Sequence, residues 1–189
     1  MHVVARWVSI IGHPFAMALV MVLGTALHLG SNAQEALRAV LMVAAVALLP
    51  IALLMARKVR MGAWENVDAS NRRERPVLFM VSVVALAVLA GLSWLSKPDS
   101  FPTRVSFGVL AMLALCAVAT RWIKLSLHMA FGALAATTLL LLHSPLGWVP
   151  LVLLPLLAWS RLALKRHTAS EVLTGLCVGV AFGLAIISV

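Results

Sequence analysis

The chain has 189 residues, of which 63% are hydrophobic and 11% are charged. Soluble domains carry about 25% charged residues and disordered chains are polar, so this composition excludes both classes. The apolar excess is too large for one globular core, and we expect lipid to be the solvent. The formal net charge is +9. Because the basic residues stand between apolar runs, they indicate topology signals, anionic headgroups or phosphate substrates rather than nucleic acid.

Seven apolar runs follow one another along the chain, and a helix needs roughly 20 such residues to cross about 30 Å of hydrocarbon. The runs cover residues 7–29, 36–56, 77–96, 105–121, 125–142, 147–160 and 171–188. The sequence therefore predicts an all-α, polytopic transmembrane bundle of seven spans, or of six if one run is re-entrant. The sixth run is short and contains Pro150 and Pro155, which favours a kink or a tilt. No linker divides residues 1–189, so we expect a single transmembrane domain.

The basic residues are divided unequally between the two faces of a seven-span bundle. Twelve of the 15 Lys and Arg fall at the N-terminus and in the second, fourth and sixth connectors, which together we call the charged face. They are Arg6, Arg57, Lys58, Arg60, Arg72, Arg73, Arg75, Arg121, Lys124, Arg161, Lys165 and Arg166. The positive-inside rule predicts that this face lies in the cytoplasm. We expect a multi-pass protein of a bacterial or archaeal cell membrane.

Three polar clusters lie at span boundaries on the charged face, at residues 68–76, 124–128 and 160–172. A basic connector is ordinarily a topology signal, and this interpretation stays open for the first cluster. In the second, Ser126 and His128 enter an apolar span, where an ionisable residue usually faces a cavity or a partner. In the third, His167 and Glu171 are four residues apart and share one helix face. A carboxylate there can hold the imidazole in one tautomer.

The third cluster carries the most specific pattern. Ser160-Arg161 is followed after five residues by His167 and after three more by Glu171. This spacing resembles the Ser-Arg-x5-His-x3-Asp motif of the type 2 phosphatidic acid phosphatase superfamily, which are integral membrane lipid phosphatases that need no metal. The resemblance implies a helix bundle of that family's type.

The other two motifs of that family are kept in part. Its Pro-Ser-Gly-His motif is matched by Ser126 and His128, with leucines in place of the proline and the glycine. Its Lys-x6-Arg-Pro motif is matched by Arg75 and Pro76, but Asp68 occupies the lysine position. What replaces that lysine as a phosphate ligand is left open by the motif.

The resemblance implies a role for each matched residue. His167 would attack phosphorus and form a phosphohistidine, and Glu171 would orient its ring. His128 would protonate the leaving oxygen and then activate water. The phosphate would be held by Arg161, Arg75 and Ser126, with Lys124 or Arg72 as substitutes for the missing lysine.

The expected activity is hydrolysis of a lipid phosphate or diphosphate, polyprenyl or phosphatidate-like, without metal or cofactor. Two alternatives stay open: a lipid phosphotransferase on the same scaffold, and a degenerate, non-catalytic lipid-binding protein. The motif-bearing core covers about 68–189, with the first two spans, about 7–56, as accessory elements. We expect His13, His28 and His143 to lie outside the chemistry, and the oligomeric state is undetermined.

Overall fold

The computed structural model describes residues 2–64 and 71–188, and every regular element in those ranges is helical. The nine α-helices are α1 (His2–Ile11), α2 (Pro14–His28), α3 (Ala33–Val43), α4 (Leu49–Arg60), α5 (Arg75–Ser96), α6 (Phe101–Ala119), α7 (Leu127–Leu141), α8 (Trp148–Ala163) and α9 (Ala169–Ser188). A π-helical stretch, Ala44–Leu48, joins α3 to α4. The predicted all-α class is confirmed.

Six helical segments in the described part of the chain are long and apolar enough to cross a membrane. They are His2–His28, Ala33–Arg60, Arg75–Ser96, Phe101–Ala119, Pro145–Ala163 and Ala169–Ser188. The fifth predicted span forms α7, whose 15 residues extend about 22 Å and fall short of a full crossing. The chain is therefore a multi-pass membrane protein with six long apolar segments and one short apolar helix.

Prolines explain where the first two segments deviate from a regular helix. Pro14 restricts the preceding residue to extended backbone, and His13 accordingly has φ −59° and ψ 144°, which separates α1 from α2. The same His13 caps α2, since its Nδ1 accepts a hydrogen bond from the Phe15 amide at 3.2 Å. Pro50 lacks an amide hydrogen and its ring crowds the preceding turn, which accounts for the π-helical stretch just before it. α8, in contrast, continues through Pro155.

The chain forms two compact units, and it passes from one to the other within α3 and again between α6 and α7. The first unit comprises residues 1–40 and 124–189, and the second comprises residues 41–123. In the first unit, α7 packs against α2, α8 and α9. Ten of its 15 residues are buried. Because protein surrounds most of α7, this helix does not need the length of a lipid-facing span.

Glycines at every fourth position of α9 bring this helix into close contact with α7. Gly175, Gly179 and Gly183 lie on one helix face. A methyl group on Gly179 would overlap the Ala130 carbonyl, and one on Gly175 would lie 2.5 Å from the Ser126 carbonyl. Small residues at such a contact let two backbones approach closely, which is how helices gain packing energy within a membrane.

Hydrogen bonds gather four helix ends at one end of the first unit, which we call the polar end. The Ser126 amide before α7 donates to the Glu171 carbonyl in α9 at 3.0 Å. The Ser160 hydroxyl near the end of α8 donates to the Ala5 carbonyl in α1 at 2.6 Å. The start of α7 therefore meets that of α9, and the start of α1 meets the end of α8. The two pairs are joined where His128 Nε2 in α7 lies 3.5 Å from Arg161 Nη1 in α8. For the first unit this agrees with the predicted gathering of the second and third clusters.

The second unit contains α4, α5 and α6, with α5 packed against the other two. Its basic turn before α5 is tied to the end of α6, because Arg72 Nε donates to the Thr120 carbonyl at 2.6 Å. Glu74 and Arg75 are buried where α5 begins. Asp68, which occupies the lysine position of the first motif, lies outside the described residues.

The contact between α7 and α9 predicts that Gly179→Ala destabilises the protein. The added methyl has no room beside the Ala130 carbonyl, and overpacking of this kind costs about 1–3 kcal/mol. Thermal unfolding in detergent micelles, followed by circular dichroism, measures the effect. Gly91→Ala is the matched control, because among the described residues no atom lies within 4 Å of the added methyl. Equal midpoints for the two variants would contradict the close contact.

Candidate functional site

Six of the eight residues expected at the site lie in the first unit, at or next to the polar end. They are Lys124, Ser126, His128, Arg161, His167 and Glu171. They come from three chain segments that the fold brings together: the turn into α7, the last turn of α8, and the turn into α9. We call the surroundings of His167 the nucleophile side and those of His128 the acid side, after the roles that the resemblance implies for these two residues.

On the nucleophile side, the ring of His167 is oriented by two acceptors at the same nitrogen. Its Nδ1 lies 3.0 Å from Glu171 Oε2 and 3.0 Å from the Lys124 carbonyl oxygen. Neither a carboxylate nor a carbonyl donates a hydrogen, so Nδ1 must carry the proton. In the neutral ring, Nε2 then holds the lone pair. The predicted pairing of His167 with Glu171 is present, and in the neutral ring it leaves the lone pair on Nε2.

The turn between α8 and α9 fixes where this histidine stands. The Arg166 amide donates to the Arg161 carbonyl at 3.1 Å, and the Lys165 amide donates to the Leu162 carbonyl at 2.9 Å. These two bonds form a Schellman C-cap, whose left-handed residue is usually glycine. Here it is Lys165, with φ +53°. Hydrogen bonds thus hold strained backbone two residues before His167.

The start of α9 is closed by a capping box. Glu171 Oε2 accepts the Thr168 amide at 3.1 Å, and the Thr168 hydroxyl accepts the Glu171 amide at 3.3 Å. The carboxylate therefore holds the helix start and the His167 ring at the same time. Glu171 replaces the aspartate of the family motif and still reaches Nδ1.

On the acid side, His128 and Arg161 form a buried pair, with 5% and 1% of their surfaces exposed. His128 Nε2 lies 3.5 Å from Arg161 Nη1, and the Ser9 hydroxyl stands beside both atoms. The Arg161 guanidinium therefore lies against the His128 imidazole in the interior of the first unit.

The hydroxyl of Ser126 is buried at the start of α7. It occupies the N-cap position but makes no capping hydrogen bond with its side chain. The residue is 0% exposed, and its Oγ has no hydrogen-bond partner among the residues that the structure describes. A buried hydroxyl without a partner is costly. At a helix N-terminus, where amides favour anions, it suits a phosphate oxygen.

Three further residues were expected to bind phosphate, namely Lys124, Arg72 and Arg75. Lys124 Nζ donates to the Arg166 carbonyl at 2.8 Å, which ties the turn before α7 to the turn before α9. Arg72 and Arg75 belong to the second unit, and their part in phosphate binding stays a prediction.

Two residues near the N-terminus, Ser9 and His13, lie at the site although neither belongs to one of the three motifs. Ser9 touches Arg161 and His128. The His13 ring, expected to lie outside the chemistry, packs edge-on against that of His128 with 5.3 Å between centroids. No local sequence pattern marks these contacts, because each joins residues that lie far apart in the chain.

Among the described residues, no group of three or more His, Cys, Asp or Glu side chains is positioned to hold a metal ion. Comparisons with protein-family models, with curated proteins and with solved structures found no match for this chain. The residues and their geometry therefore carry the functional argument.

The double role of Glu171 predicts how Glu171→Ala affects stability. The variant loses a capping acceptor and the His167 contact, whereas Glu35→Ala loses only the equivalent capping box with Asn32 in the same unit. We expect Glu171→Ala to destabilise the protein by about 1 kcal/mol more than Glu35→Ala. Thermal unfolding of both variants in one detergent measures the difference. If Glu35→Ala is as damaging, the His167 contact adds nothing to stability.

Proposed function

We propose that this protein is a membrane phosphatase that hydrolyses a lipid phosphate or diphosphate through a phosphohistidine intermediate. The observation that carries the proposal is the state of His167, whose Nδ1 faces two acceptors and whose Nε2 is thereby left nucleophilic. The buried pair of His128 and Arg161 in the same unit supports it. The resemblance of the third motif to lipid phosphatases points to the same chemistry.

In the first step, His167 Nε2 attacks phosphorus and the bond from phosphorus to the lipid oxygen breaks. Glu171 stabilises the positive charge that develops on the ring. His128, in its protonated form, gives its proton to the departing oxygen, and a lipid alcohol or a lipid monophosphate leaves. The negative phosphate beside His128 favours the protonated imidazole. One positioned acid or base typically accelerates such a step about 10²- to 10⁴-fold.

In the second step, neutral His128 removes a proton from water, and the water oxygen attacks phosphorus. The bond from phosphorus to His167 breaks, and inorganic phosphate leaves. Arg161 and the Ser126 hydroxyl serve the phosphate oxygens in both steps, because fixed donors stabilise charge that develops in the transition state. The covalent intermediate divides one difficult reaction into two easier ones.

The position of the residues in the chain favours a lipid substrate. The site residues lie at the ends of the apolar helices α7, α8 and α9, and the segments that contain α8 and α9 are long enough to cross a membrane. A phosphate at headgroup level would meet the polar end of the first unit, while its hydrocarbon tail stays beside the apolar helices. Polyprenyl and phosphatidate-like lipids both satisfy this requirement.

Purified protein is expected to release inorganic phosphate from a lipid phosphate in mixed micelles that contain EDTA. His167→Ala removes the nucleophile, and we expect its kcat to fall by at least about 10³-fold. His28→Ala is the matched control, because His28 is exposed at the end of α2. Equal rates for wild type and His167→Ala would refute the assignment.

Product analysis with an added lipid alcohol separates the two alternatives from hydrolysis. Transfer of the phosphoryl group to that alcohol in preference to water would identify a phosphotransferase. Absence of turnover with every lipid phosphate tested would favour a non-catalytic lipid-binding protein. We expect water to be the acceptor.

The two-histidine scheme also predicts a bell-shaped pH dependence of kcat. Activity falls at acidic pH because protonation removes the lone pair of His167, and at alkaline pH because His128 loses the proton it must donate. Initial rates across about pH 5 to 9 measure the profile. A flat profile would contradict the assignment of one histidine as nucleophile and the other as acid.

A further inference from the structure

Ser9 of α1 stands between the two groups of the acid side. Its hydroxyl accepts a hydrogen bond from Arg161 Nη1, and the same oxygen lies 3.5 Å from His128 Nε2. A hydroxyl both accepts and donates, so the Ser9 oxygen can accept from Arg161 and still contact the imidazole nitrogen in either protonation state. Ser9 is 5% exposed, and this contact joins residues 152 positions apart in the chain.

Two features fix the place of this hydroxyl. The Ser160 hydroxyl donates to the Ala5 carbonyl, which is one helical turn before Ser9, so α1 is tied to α8 beside Arg161. Leu157, also in α8, lies directly over the bare backbone of Gly12, where a side chain would overlap it. The register of α1 on α8 is thereby set on both sides of Ser9.

We propose that Ser9 is a positioning residue of the phosphatase site, which holds the Arg161 guanidinium and the His128 imidazole at a fixed separation. This inference rests on the proposed function. By accepting one N–H of Arg161, Ser9 limits rotation of a side chain that otherwise has many rotamers. A planar guanidinium held in a fixed orientation can bind phosphate oxygens with a defined geometry.

This role makes α1 a part of the site rather than an accessory segment. Phosphate attraction depends on the charge of Arg161, which any Ser9 variant retains. Transition-state stabilisation depends on where that charge and the His128 proton stand relative to phosphorus. Loss of the hydroxyl should therefore lower kcat while leaving KM nearly unchanged.

The test compares Ser9→Ala, Ser9→Cys and Ser9→Thr with wild type in the micellar phosphate-release assay. Cysteine keeps nearly the size of serine but is a weak acceptor, whereas threonine keeps the hydroxyl. We expect Ala and Cys to reduce kcat by about 10- to 100-fold with KM within about threefold of wild type. We expect Thr to restore kcat to within about threefold.

Ser188→Ala is the control, since its exposed hydroxyl donates to the Ala185 carbonyl in the same helix, away from the site. Size-exclusion chromatography and circular dichroism establish that each variant is folded. If Ser9→Ala fails to fold, Ser9→Cys and Ser9→Thr decide the question between them.

Three results would overturn the inference. A wild-type kcat in folded Ser9→Ala or Ser9→Cys would show that the hydroxyl has no positioning role. The phosphatase assignment would not be affected. A loss shared by Ser9→Thr, or a rise in KM that accounts for the loss of kcat/KM, would indicate a structural role. Inactive wild-type protein would refute the proposed function, and the role of Ser9 with it.

Discussion

A positive charge buried in a membrane protein needs fixed partners, and Arg161 imposes this constraint on the first unit. The residue is 1% exposed, and burial of an ion without compensation costs several kcal/mol. α1 supplies the Ser9 hydroxyl, and the imidazole of His128 in α7 lies beside the guanidinium. The backbone carbonyl of Arg161 closes the cap that precedes His167. One buried side chain in α8 thus contacts α1 and α7.

The packing of small residues supports this arrangement. Because Gly175 and Gly179 let the backbone of α7 approach α9 closely, the Ser126 amide reaches the Glu171 carbonyl. The same contact sets the Lys124 carbonyl beside His167 Nδ1. Helix packing in the apolar interior therefore determines the tautomer of a histidine at the helix ends. The orientation of the His167 ring and the packing of α7 on α9 are coupled because both depend on residues at the starts of these two helices.

The local parts of this arrangement were predictable from the sequence. The apolar runs predicted the helices, and the four-residue spacing of His167 and Glu171 predicted their contact. Both patterns depend on helix geometry alone. Ser9 was not predictable in this way, since a serine in an apolar run has no local signature of a contact 152 residues away. The brevity of α7 was also missed, because hydropathy does not distinguish burial in protein from burial in lipid. Arg75 was expected at the site because of the motif alone, and a sequence motif does not determine how far apart two residues lie in the fold.

The proposed function requires that the acid side and the nucleophile side together enclose one anion. The decisive experiment is a crystal structure of the protein soaked in inorganic phosphate. We expect phosphate density within hydrogen-bonding distance of Arg161 and His128, with His167 Nε2 facing phosphorus. Phosphate bound elsewhere, or a His167 ring whose Nε2 points into lipid, would refute the two-histidine site.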